Sequence, residues 1–132
     1  MTFPRVVLFL SAVAFAGFGV WGLVAPAEMI AMVEVTAATP TARAELRSFY
    51  GGLQLGIAGF FLVCLARRDR VAVGLLASTI LIGSIAVARG TSGAEDGPVA
   101  RPILYLLATE VTAAVLSAVG WRMAAAAAPD SR

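Results

Sequence analysis

One carboxylate lies where hydrocarbon chemistry does not tolerate it. Glu110 interrupts an apolar run from about Ile103 to Trp121 that otherwise carries no charge. An ionised carboxylate in a bilayer costs at least about 2.5 kcal/mol even on the forgiving insertion scale, so Glu110 needs a partner or a proton. Arg47 and Arg89 are the candidate partners, because a guanidinium can hold a carboxylate with two parallel hydrogen bonds. Arg47, Tyr50 and Gln54 are spaced three and four apart, which puts them on one helical face that descends to roughly 9 Å at Gln54. Glu110, seven residues past Ile103, lies roughly 10 Å deep, on one stripe with Ala113, Ala114 and Ser117. With Arg89 at the end of the third apolar stretch and Tyr105 near the start of the fourth, the candidate cluster is Arg47, Tyr50, Gln54, Arg89, Tyr105 and Glu110.

Such a cluster has three chemical readings. An Arg–Glu pair fixes helix register with no ligand; two arginines against one acid bind an anionic head group such as a carboxylate, phosphate or lipid; or Glu110 titrates in proton-coupled transport. The register reading is favoured, then the pocket. Other chemistry is excluded by composition. The chain has no His and a single cysteine, Cys64, so it lacks the usual ligands of haem, zinc, copper or an iron–sulfur cluster, and it has no Ser-His or Cys-His nucleophile. No cofactor and no metal site are expected. Cys64 sits in an apolar run and reads as a buried, inert thiol. All ten basic residues are Arg, a compositional bias of a GC-rich bacterial genome that does not indicate nucleic-acid binding.

The elements that position these residues follow from hydropathy. Of 132 residues, 60% are hydrophobic and 14% charged, more apolar surface than one small soluble core can bury. The expected fold is an all-α membrane protein, a four-transmembrane-helix antiparallel bundle forming a single domain over residues 1–132, with spans at about 6–25, 48–66, 71–88 and 103–121. The first span ends at Pro26, which cannot continue a helix. A cleaved secretory signal is its competing reading, but signal cores are shorter and three more spans follow. Thr39-Pro40 predicts a helix start well before the uncharged part of the second span. Arg67-Arg68-Asp69-Arg70 permits only a tight return. The apolar segment Glu28 to Glu34, too short to cross, predicts a short interfacial helix or loop between helices 1 and 2. Thr91 to Pro98 reads as turn chemistry. Ala124 to Ala128 reads as helix continuation or a frayed end.

The arginine distribution, Arg5, Arg67, Arg68, Arg70, Arg122 and Arg132 against Arg43, Arg47, Arg89 and Arg101, predicts a bacterial plasma-membrane protein with both termini cytoplasmic. Trp21, Trp121, Tyr50 and Tyr105 then fall near the interfaces as anchors. Gly51, Gly52, Gly56 and Gly59 offer a close-approach face on the second helix, read as internal packing ahead of a dimer interface. Gly17, Gly19 and Gly22 in the first helix, and Gly74 with Ser78, Gly83 and Ser84 in the third, supply further such points.

The segment Glu45-Leu46-Arg47-Ser48-Phe49-Tyr50-Gly51-Gly52-Leu53-Gln54-Leu55-Gly56 resembles the signature of an uncharacterised family of small bacterial four-helix integral membrane proteins, with an Arg-x-x-Tyr-Gly-Gly-Leu element in the second helix. Similarity extends to Arg89, to Asp96-Gly97-Pro98 and to Glu110. The polar, Gly-containing segment between Arg89 and Asp96 departs from the family's more apolar pattern. The resemblance implies the four-helix topology and marks the same polar residues, and it implies no activity.

The leading functional reading is a nonenzymatic integral membrane module. It serves as a structural or assembly partner, or binds a small amphiphilic anionic molecule through the polar cluster. The alternative is a small proton-coupled transporter with Glu110 as the titrating carboxylate. Multidrug-type antiporters of similar size are expected to carry that acid in helix one, which here has none. An intramembrane enzyme using Tyr50, Arg47, Arg89 and Glu110 for acid–base chemistry comes third, unsupported by any cofactor motif. The expected partners are the lipid bilayer, a small amphiphile or a partner membrane protein, with a homo-oligomer compatible and no nucleic acid.

Overall fold

A run of apolar residues that must satisfy its backbone without water has one simple solution, the helix. The computed structural model describes residues 1–95, 97 and 99–127, and among these the regular structure is all helical. Helix α1 spans Phe3–Val24, with Pro4 in its first turn, and stops at Ala25 before Pro26. A short α2, Pro26–Ala31, occupies the segment expected to hold an interfacial helix or loop. It closes in a turn where the amides of Val33 and Val35 both donate to the Ile30 carbonyl and Glu34 takes a left-handed φ of 63°.

Helix α3, Pro40–Leu46, starts where Thr39-Pro40 predicts: the Thr39 hydroxyl accepts from the Ala42 amide at 3.1 Å. It runs through a π-helical turn, Arg47–Gly52, into α4, Leu53–Ala66. A 3-10 turn at Arg68–Arg70 makes the tight return into α5, Val71–Glu95, and α6 spans Arg101–Ala126. Four stretches are long and apolar enough to cross a membrane: Phe3–Val24, Pro40–Ala66, Arg68–Ser92 and Arg101–Ala126.

The expected turn at Thr91 to Pro98 is corrected in its first half. Thr91 to Glu95 continue α5, and the Thr91 and Ser92 hydroxyls both donate to the Ala88 carbonyl, a local bond that suits the end of a helix. Gly97 takes a left-handed φ of 96°. Asp96 and Pro98 lie outside the described residues, as do Ala128 and Arg132. The alanine run continues α6 as far as Ala126.

Packing follows the three-and-four spacing of each helix. On α1 the buried residues include Leu8, Ser11, Phe15, Gly19 and Gly22; on α5 they include Val71, Leu75, Ser78, Ile82 and Ala86. Phe15 meets Phe61 of α4 edge to face, ring centroids 5.5 Å apart, at the centre of the core. Cys64 is buried there, as expected. Its neighbour Gly74 brings the start of α5 against Leu8 and Cys64, and a Cβ on it would stand 2.8 Å from the Cys64 side chain.

Candidate functional site

Arg89 continues the buried stripe of α5 at the three-and-four spacing that links Ser78, Ile82 and Ala86. It therefore faces α6. Its Nε donates to Glu110 Oε2 at 2.9 Å and its Nη2 to Oε1 at 2.8 Å. This is the fork-to-fork geometry in which each carboxylate oxygen receives one charge-assisted bond. The side chains are 24% and 16% exposed, which is dry enough for the attraction to be little screened. Glu110 sits on one stripe of α6 with Ala113, Ala114, Ser117 and Gly120, and Ser117 and Gly120 are buried.

The other four residues of the expected cluster do not join the pair. Arg47 turns toward α1, where its Nε donates to the Leu23 carbonyl at 3.1 Å. The physical reason is the end of α1: its last carbonyls have no intrahelical partner and carry the negative end of the helix dipole, so a neighbouring guanidinium binds there. Tyr50 is 43% exposed and makes no hydrogen bond to the pair. Gln54 is half-buried, on one stripe with Gly51, Ala58 and Phe61. Tyr105 is 72% exposed on the outside of α6. Among the described residues no third side chain hydrogen-bonds to the Arg89–Glu110 pair.

Arg5 repeats the Arg47 arrangement at the other end of the same helix pair. Its Nη2 donates to the Leu65 carbonyl of α4 at 3.2 Å. The start of α1 thus lends Arg5 to the end of α4, and the π-helical turn before α4 lends Arg47 to the end of α1. Between these caps the glycines work as close-approach points. A Cβ on Gly22 would collide with the Tyr50 carbonyl, one on Gly51 would stand 2.5 Å from Leu23 Cδ2, and one on Gly19 would stand 2.8 Å from Leu55 Cγ. The π-helical turn Arg47–Gly52 lies at this contact, where the paired Gly51-Gly52 weakens ordinary α-helical preference.

Of the four glycines expected to form one packing face, Gly51 alone packs inside the chain. Gly52, Gly56 and Gly59 are exposed, and a Cβ on Gly56 or Gly59 would meet nothing within 4 Å. Gly17 and Gly83, also expected as close-approach points, have the same open surroundings, so that expectation is corrected for both.

Sequence reasoning missed Ser11. Its hydroxyl is 3.2 Å from that of Ser78, which in turn is 3.0 Å from that of Ser117, joining α1, α5 and α6 through three buried oxygens. The available signal was a lone hydroxyl on the Leu8–Phe15 stripe of an otherwise apolar helix face.

The family known as the domain of unknown function DUF4345 matches residues 3–121, nearly the whole chain. The chain belongs to this family. No curated protein and no solved structure matches it. Membership in DUF4345 covers every element that carries the ion pair, the arginine caps and the serine chain. It brings no activity with it. Among the described residues no group of three or more His, Cys, Asp or Glu side chains stands close enough to hold a metal ion.

Proposed function

We propose that this DUF4345 protein is a nonenzymatic integral membrane module, a structural or assembly partner. In this reading its four long helices form an antiparallel bundle in a bacterial plasma membrane with both termini in the cytoplasm. The observation that carries the proposal is the closed pairing of Arg89 with Glu110. One guanidinium engages both carboxylate oxygens and balances their charge, which leaves each oxygen a single further acceptor site on a side chain only 16% exposed and weakens the acid as a site for a cation or a proton. Arg47, the second cation that an anionic head group would use, is directed to a helix-end carbonyl instead. These contacts favour the register role over ligand capture at the polar cluster and over proton-coupled transport through Glu110.

The exposed glycines at the end of the π-helical turn and along α4 support the assembly limb. Gly52, Gly56 and Gly59 each cost roughly 0.5–1 kcal/mol of helix stability relative to Ala, and a Cβ on Gly56 or Gly59 would have met nothing within 4 Å. A small-residue face of this kind lets a second transmembrane helix approach closely.

Native mass spectrometry of the full chain released from mild detergent tests the proposal, comparing wild type, Gly56→Leu and Glu110→Gln. The expected result is an assembly larger than one chain that Gly56→Leu dissociates, and no small molecule whose retention depends on Glu110. A wild type that is monomeric and carries a defined ligand, lost from a still-folded Glu110→Gln variant, would overturn it in favour of a binding protein.

A further inference from the structure

The serine chain contains a proton that its own hydrogen bonds do not use. Ser11, Ser78 and Ser117 supply three O–H donors, and the two contacts between them consume two. Elsewhere in these helices a spare hydroxyl proton goes to the carbonyl four residues back, as Thr79 donates to Leu75, Thr109 to Tyr105 and Thr112 to Ala108. Among the described residues no backbone carbonyl accepts from the three serines. One O–H is therefore left over, and the only question is on which serine.

Burial decides it. Ser78 and Ser117 have no exposed surface, and an unused donor there costs about 1–3 kcal/mol. Ser11, itself a buried residue but with 8% of its surface still exposed, is the one of the three that lines an open groove. The order that leaves no donor stranded in the core runs from Ser117 to Ser78 to Ser11, with the last proton on the Ser11 oxygen at the groove. Each bond in such a chain polarises the next, which strengthens the terminal donor.

The groove lies between α1 and α6 with Ile82 of α5 at its base, and has a volume of about 500 Å³, within the range of small-molecule sites. Its walls include Leu10, Ala14, Phe15 and Leu116. Thr109 and Thr112 also line it, but their protons are already committed to their own helix. No arginine lines the groove, so it offers nothing to a charged head group. Ser11 sits roughly 12 Å along α1 from Phe3, deep in the span, so the group it recognises must lie within an apolar body.

We propose that this groove binds an apolar molecule bearing a carbonyl-type hydrogen-bond acceptor and no donor, whose oxygen accepts from the Ser11 hydroxyl. The site is separate from the Arg89–Glu110 pair and does not depend on the role assigned to that pair.

Benzophenone, an apolar diaryl ketone that cross-links on illumination, is a direct probe for the full chain in lipid nanodiscs. Adducts mapped by peptide mass spectrometry are expected on the α1 and α6 walls, at Leu10 and Leu116. 7-Tridecanone should compete at about fivefold lower concentration than tridecane, the worth of one neutral hydrogen bond. Ser11→Ala should remove that difference. Ala14→Phe should suppress labelling in the groove while leaving the serine chain intact, and because Ala14 is exposed the change adds no bulk to the core. Labelling spread evenly over all exposed helix faces would overturn the proposal. Equal competition by ketone and hydrocarbon, or an unchanged preference in Ser11→Ala, would do the same.

Discussion

Where α1 runs along α4, glycines bring two backbones together, and Arg5 and Arg47 donate to carbonyls at helix ends; where α5 runs along α6, side chains meet, and Arg89 donates to a carboxylate. The difference is one of available acceptors. Arg5 and Arg47 lie beside terminal carbonyls, which a helix always leaves free. Arg89 lies six residues before the end of α5, where the neighbouring carbonyls are bonded within the helix. An acceptor must then come from another element, and Glu110 supplies it. The acid is thus a consequence of where its arginine sits, and the same guanidinium chemistry needs no acid at the other seam.

That contrast can be broken from either side. The largest effect is expected from Gly22→Leu, because the added side chain runs into the rigid Tyr50 backbone and not into a movable side chain. Overpacking of this kind costs about 3 kcal/mol, and thermal unfolding in detergent should show the loss of the α1–α4 seam. Next is Glu110→Gln, which leaves Arg89 facing an uncharged amide that can accept only one of its two bonds. A loss of about 2 kcal/mol is expected by the same measurement, less than for a fully buried pair because both partners retain some exposure.

Ser78→Ala removes the central oxygen of the serine chain and strands Ser117, and should cost about 1–2 kcal/mol. The smallest effect belongs to Arg47→Gln, about 0.5 kcal/mol, since an exposed cap on a helix end is screened by water. A loss at Arg47 as large as that at Glu110 would erase the distinction between the two seams.

The sequence made the ion pair readable because a lone carboxylate in an apolar helix demands a partner at matching depth, and Arg89 was one of two residues able to reach it. It made the α3 start readable because Thr39-Pro40 is a local signal with a local cause. Arg47 was harder to place. Its spacing from Tyr50 and Gln54 defines a face correctly, but the acceptor it finds is a backbone carbonyl, and every residue has one of those. The serine chain was hidden for the opposite reason: each hydroxyl is unremarkable on its own helix, and its meaning appears only when three helices are brought together. The glycine face divided because Gly51 shares the buried three-and-four stripe of Ala58 and Phe61, while its neighbour Gly52 lies about 100° round the helix on the exposed side with Gly56 and Gly59.

The most direct test of the register role is a double-mutant cycle on Arg89 and Glu110, read as thermal unfolding of the full chain in nanodiscs. Arg89→Met and Glu110→Leu should each destabilise the protein by about 2 kcal/mol, since each leaves the other charge without its partner. The combined variant, which places two apolar side chains at the same contact, should recover most of that loss, as replacement of both members of a dry pair often does. A combined variant no more stable than either single change, or single changes with no effect, would contradict the claim that the pair exists to fix α5 against α6.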